Sequence, residues 1–168
     1  MSGLCRPSLF YVTMNREEKR TKVLQSLIEH QQAIADTAKK EMDSAQQQSN
    51  EYGQNVDRYD SFRTKMMRAR DMYARQYSNA NESIRYLQEL LKQPPFEKVE
   101  YGAIVVTDKQ RFCLSIGAGK FTVEYNEGTP EVFFAISAQV PIYQAMQGKR
   151  VGDAFTFNGI KQTIIEVF

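Results

Sequence analysis

Apolar positions recur along this chain at two different periods, and the change falls near position 94. Leu24, Ile28, Gln31, Ala35, Ala38, Met42, Ala45, Ser49 and Tyr52 follow alternating steps of four and three. Phe62, Met66, Ala69, Tyr73, Gln76, Ala80, Ser83, Leu87 and Leu90 do the same. Each series is a heptad seam along one helix face. The first seam is poor in large side chains, which predicts close approach around alanine and serine. No proline lies between Met14 and Gln93, and the only glycine there is Gly53, near the middle. Two long helices with one interruption follow, because proline breaks helix interiors and glycine favours turns. Arms of about 35 to 40 residues reach roughly 55 to 60 Å at about 1.5 Å per residue. Pro94-Pro95 then stops the second helix.

Beyond the prolines the period is two. Runs rich in valine, isoleucine, phenylalanine and threonine cover 101–107, 111–116, 120–125, 132–136, 154–157 and 162–168. Turn residues such as Asn126-Glu127-Gly128 and Asn158-Gly159 separate them. Between the fourth and fifth runs, Pro141 suits the first turn of a helix and Gly148 its left-handed C-terminal cap. The chain therefore reads as α+β. An antiparallel coiled-coil helical hairpin over 14–93 is followed by a linker over 94–99 and a small antiparallel β domain with one short helix over 100–168. Residues 1–13 read as an N-terminal extension outside the native chain, with Met14 as its start; a short structured strand is the alternative.

Composition adds little to this picture. The 168 residues are 42% hydrophobic and 25% charged with a formal net charge of +2, so a cationic surface has to come from local clustering. Such a cluster exists. Arg58, Arg63, Lys65, Arg68, Arg70 and Arg75 face only Asp60 and Asp71 over 58–75. It suits an RNA end or an acidic channel, and equally an ordinary solvated face. His30 is the only histidine, which excludes histidine-based triads and metal sites. Cys5 and Cys113 stand far apart without CxxC spacing, as expected in a reduced cytoplasm. No segment approaches the ~20 apolar residues of a membrane span. No phosphate-cradling glycine loop, HExxH or GxSxG pattern occurs.

The segment ISAQVPIYQAMQGKRVGD, 136–153, is similar to the C-terminal domain of the Gre family of bacterial transcript-cleavage factors. The matching positions are Ile136, Ser137, Pro141, Ile142, Ala145, Met146, Gly148, Lys149, Gly152 and Asp153. Tyr101-Gly102 resembles the family's first-strand opening, and the alternating run over 163–168 resembles its last strand. Val140 departs, standing where the family usually has a serine able to cap the short helix. FKBP-like domains share the short helix and the Gly-Asp turn; the order of helical hairpin then β domain singles out the Gre pattern.

The resemblance implies an FKBP-like fold for 100–168 and a cytoplasmic factor that binds bacterial RNA polymerase. Its tip would enter the secondary channel and stimulate the polymerase's own cleavage of backtracked RNA. Such a factor is not itself an enzyme. It takes no cofactor of its own and no small-molecule substrate, binds no membrane, and works with the Mg²⁺ of the polymerase active centre. The family's paired tip acids, three residues apart, map onto Asp57 and Asp60 as the residues acting on that metal. Asp60 stands in place of the usual glutamate, and Arg58 and Tyr59 between the acids also differ from the family. Glu51, Arg58, Tyr59 and Arg63 are candidate contacts to the nascent RNA 3′ end or the polymerase.

Carboxylates suit this chemistry because Mg²⁺ is often held by one or two of them together with waters and phosphate. Two acids three apart at a helix start are also a helix cap with favourable dipole interactions, and that reading stays open. The alternative function is a non-cleaving regulator that occupies the same channel. A prolyl isomerase and a chaperone-like coiled coil are the remaining classes.

Overall fold

The computed structural model describes residues 14–51, 60–125 and 128–168. Its first helix, α1 (Arg16–Glu51), starts at a reciprocal cap. Asn15 Oδ1 accepts the Glu18 N–H at 2.8 Å, and Glu18 Oε2 accepts the Asn15 N–H at 3.0 Å. Two N–H groups that the helix leaves unbonded are thereby satisfied, and Glu17 and Glu18 place negative charge at the positive dipole end. The second helix, α2 (Asp60–Leu91), ends just before the two prolines.

The two helices pack on each other in opposite directions. Ala35 clusters with Ala80 and Ile84, and the Arg70 guanidinium donates to Gln46 Oε1 at 2.9 Å. On α1 the expected seam is the buried one, with Leu24, Gln31, Ala35, Ala38, Ala45 and Ser49 all covered. On α2 the seam differs from expectation. Gln76 is exposed, and Tyr77 and Ile84 turn inward in place of Gln76 and Ser83. A seam at 3.5 residues per step leaves neighbouring positions nearly equivalent on a 3.6-residue helix, so the larger apolar side chain takes the buried place.

Six strands follow: β1 (Ile104–Thr107), β2 (Arg111–Leu114), β3 (Gly119–Val123), β4 (Glu131–Ile136), β5 (Ala154–Phe157) and β6 (Ile160–Val167). They form one sheet in the order β3-β4-β2-β1-β6-β5. The expected antiparallel sheet is in fact mixed: β4 lies parallel to β2, with Phe112 opposite Phe134, and β3 is pushed to the edge. Burial explains the placement. β3 alternates exposed Lys120 and Thr122 with buried Phe121 and Val123, and its polar face tolerates solvent. β4 is apolar on both faces. Phe133 and Ala135 join one core cluster while Phe134 and Ile136 pack on the other, so an interior position suits it.

Those two clusters make the molecule three layers deep. Val23, Leu24, Leu27, Leu87 and Leu90 from the helices meet Ile104, Cys113, Phe121, Phe133 and Phe168 on one sheet face. The other face is covered by α3 (Pro141–Met146), whose Tyr143 and Met146 pack with Val105, Phe112, Leu114 and Ile164. Val140 precedes α3 without any side-chain cap, and Gly148 beyond it holds φ +77°. Asp153 Oδ2 accepts the Arg150 N–H at 2.8 Å and closes the turn into β5. No described helix is long and apolar enough to cross a membrane.

Candidate functional site

Opposite chain directions bring the end of α1 and the start of α2 to the same extremity. Glu51 closes α1, exposed, with Oε1 accepting from Gln47 Nε2 at 2.7 Å. Asp60 opens α2, and Arg63 stands exposed one turn later. Glu51, Asp60 and Arg63 thus share one end of the helical pair. Asp57, Arg58 and Tyr59 lie outside the described residues. Among the described residues, no group of three or more His, Cys, Asp or Glu side chains is arranged to hold a metal ion. One or two carboxylates are enough to contribute to a Mg²⁺ site that other groups complete.

Behind this end, α2 carries a cationic line. Lys65, Arg68, Met72 and Arg75 follow steps of three and four, all exposed, and therefore lie along one helix face. Arg63, Lys65, Arg68 and Arg75 have no ion-pair partner among the described residues. Arg70 is different: it is half-buried and spends its guanidinium on Asp71 and Gln46. Tyr73 is half-buried, as its place on the seam predicts, and Tyr77 packs against the Ala35 cluster.

The opposite end of the pair holds a group that sequence reasoning missed. Arg20 is 3% exposed, yet among the described residues no carboxylate pairs with it. One Nη donates to Gly102 O at 2.9 Å and the other to Leu90 O at 2.9 Å, while the guanidinium lies 5.2 Å from the Phe96 ring centroid. Nε is buried without a partner among the described residues, an arrangement that costs about 1–3 kcal/mol. Burial pushes the Arg20 pKa below the usual guanidinium range, against the opposing influence of Cys113 and Tyr86. Its acceptors are 70 and 82 residues away in sequence, which no local pattern announces. The seam gives no signal either: its alternating steps carried back from Leu24 reach Thr21 and Glu17, not Arg20.

Gly102 is the close neighbour that makes this possible. Its φ is +102°, and an added Cβ would stand 2.9 Å from Leu90 Cδ2 and 3.2 Å from Phe96 Cζ. Nearby, the Tyr101 hydroxyl donates to Ser115 O, and the Tyr86 and Tyr101 rings lie 5.8 Å apart. Burial raises the Tyr86 hydroxyl well above its ordinary value, with Tyr101 adding to the effect. Burial also pushes the Cys113 thiol up to about 11.

A cleft of about 370 Å³ lies between the start of α1 and the sheet, lined by Lys19, Arg111, Tyr125, Glu131, Phe133 and Glu166 among others. Its charges pair with one another. Lys19 Nζ meets Glu166 at 3.0 Å, and Arg111 Nε meets Glu131 at 3.1 Å. Burial, with Glu131 close by, pushes the Tyr125 hydroxyl up to about 12. No protein-family model, curated protein or solved structure matches the chain.

Proposed function

We propose that this chain is a transcription factor of Gre type that acts on bacterial RNA polymerase. In this reading α1 and α2 form a coiled-coil hairpin that enters the secondary channel, and residues 100–168 form an FKBP-like domain that stays outside. The tip carboxylates then stimulate the polymerase's hydrolysis of backtracked RNA. One observation carries the reading. Among the described residues the helix pair shares its core cluster with the sheet near its base, around Leu27 and Leu87, whereas α1 continues to Glu51. Those further residues amount to roughly 35 Å at about 1.5 Å per residue, a reach that folding of the sheet does not require.

The end of that reach carries Glu51 and Asp60, with Asp57 three residues earlier in the sequence. A Mg²⁺ ion bound there within the polymerase would activate water and stabilise charge developing on phosphate. The chain's own task is to bring carboxylate oxygens to that point. The cationic line from Lys65 to Arg75 would face phosphates or acidic channel walls along the way. A second reading, a non-cleaving regulator of the same channel, draws support from Asp60. It is shorter by one methylene than the glutamate of the resembling family, so its carboxylate would reach less far.

Stalled, backtracked polymerase from the source organism tests both readings. Wild-type protein is expected to accelerate RNA cleavage. Asp57→Asn/Asp60→Asn is expected to bind equally well and to lose cleavage by on the order of 100-fold, the loss expected when several kcal/mol of charge stabilisation is removed. Wild-type binding without cleavage would select the regulator, and absence of binding would remove both.

A further inference from the structure

Arg20 joins parts of the fold that nothing else described joins at one point. It stands on α1 and donates to the carbonyl end of α2 at Leu90. It also donates to Gly102, which leads into β1, and lies over Phe96 of the segment between them. The last turn of α2 contains no basic residue, so the cation at its negative dipole end is supplied by the other helix. Two neighbouring cations reach less of this junction. Arg16 donates to Phe96 O at 2.8 Å and Val167 O at 2.7 Å, but among the described residues makes no hydrogen bond to α2. Lys19 pairs with Glu166, and both side chains are more than a third exposed, where ion pairs hold weakly.

Hydrophobic contact between the helices and the sheet is non-directional, and burial alone tolerates sliding and rotation. A guanidinium fork is directional, because its donors are fixed in one plane. We infer that Arg20 is a positioning residue, whose two carbonyl bonds set the direction in which the helix pair leaves the sheet. The hydrophobic cluster then supplies adhesion and Arg20 supplies angle. The inference concerns the free protein and is independent of whether polymerase is the partner. If the functional reading holds, the same angle decides where the tip arrives.

The test is a distance measurement by pulsed electron spin resonance on the full chain. Spin labels are placed at Lys40→Cys on α1 and Thr156→Cys on β5, both exposed positions, in a Cys5→Ser background. Cys113 remains, since its thiol is fully buried. Arg20→Met removes the charge and the fork, whereas Arg20→Lys keeps the charge and loses the fork. The wild type is expected to give one narrow distance distribution. Both variants are expected to give a distribution at least twofold broader, or displaced, with unchanged helix content by circular dichroism and a cooperative melt. A wild-type distribution in either variant would overturn the inference. So would loss of the folded sheet in both, because Arg20 would then be holding the fold together and not its angle.

Discussion

At the scale of single residues, the clearest consequence of burial is a dependence on alkali. Cys113 has an ordinary value of 9.0 and rises to about 11 in the fold, while Tyr125 goes from 10.0 to about 12. Burial is the leading cause for both, and Tyr86 is displaced in the same direction. In each case the folded state holds its proton more tightly than the unfolded chain. Stability therefore decreases wherever the unfolded chain has released protons that the folded state retains. The contribution is complete below about pH 9 and is lost as pH rises through the folded values near 11 and 12. Chemical denaturation at a series of pH values should show a level unfolding free energy up to about pH 9 and a decline from there to 12. Tyr125→Phe should lessen the upper part of the decline; a level profile through pH 11 in the wild type would refute the assignment. Such neighbourhoods were not visible in the sequence. The phenylalanine, cysteine and leucine of β2 mark a strand, but nothing in that run says which helix will cover Cys113.

At the scale of elements, the seam of α1 explains how closely the helices approach. Ala35 is fully buried and Ala80 nearly so, and each faces the other helix. A larger side chain there has no space to enter without displacing the partner. Ala35→Leu should cost roughly 1–3 kcal/mol, the range for overpacking a tight interior. The exposed control Ala33→Leu should leave the midpoint of urea denaturation almost unchanged. Equal effects from the two would show that the seam is looser than its burial indicates. The two helices, the short helix after Pro141 and the six strands were all legible from period and punctuation. The parallel pairing of β2 with β4 was not, because period two marks a strand without naming its neighbour. Tyr77 and Ile84 were passed over for Gln76 and Ser83 because strict heptad counting gave spacing more weight than side-chain size.

At the scale of the whole molecule, the sheet depends on the helices for one of its faces. Phe121, Phe133, Ile104 and Phe168 are covered there by Val23, Leu24, Leu27, Leu87 and Leu90. Burying a side chain such as Phe133 contributes about 1.5–3 kcal/mol, and several such residues would be uncovered together if the helices were removed. A fragment spanning 97–168 should therefore aggregate or give poorly dispersed amide resonances, while the full chain elutes and resonates as a folded species. A well-dispersed, soluble fragment would contradict this dependence. The paired acids Asp57 and Asp60 were named only through a resemblance, and Asp57 lies outside the described residues. The Arg20 junction was not legible, since its meaning appears only when α2 and Gly102 are brought to it.

The same shared face changes what counts as a module. Pro94-Pro95 is the most conspicuous punctuation in the sequence, yet the material joint runs through the leucines and phenylalanines on either side of it. Grafting a different pair of helices onto this sheet by cutting at the prolines would discard half of an interior. A workable exchange would carry Arg20, Val23, Leu24, Leu27, Leu87 and Leu90 along with the sheet and substitute only the stretch beyond them. The interchangeable part of the molecule is the distal shaft.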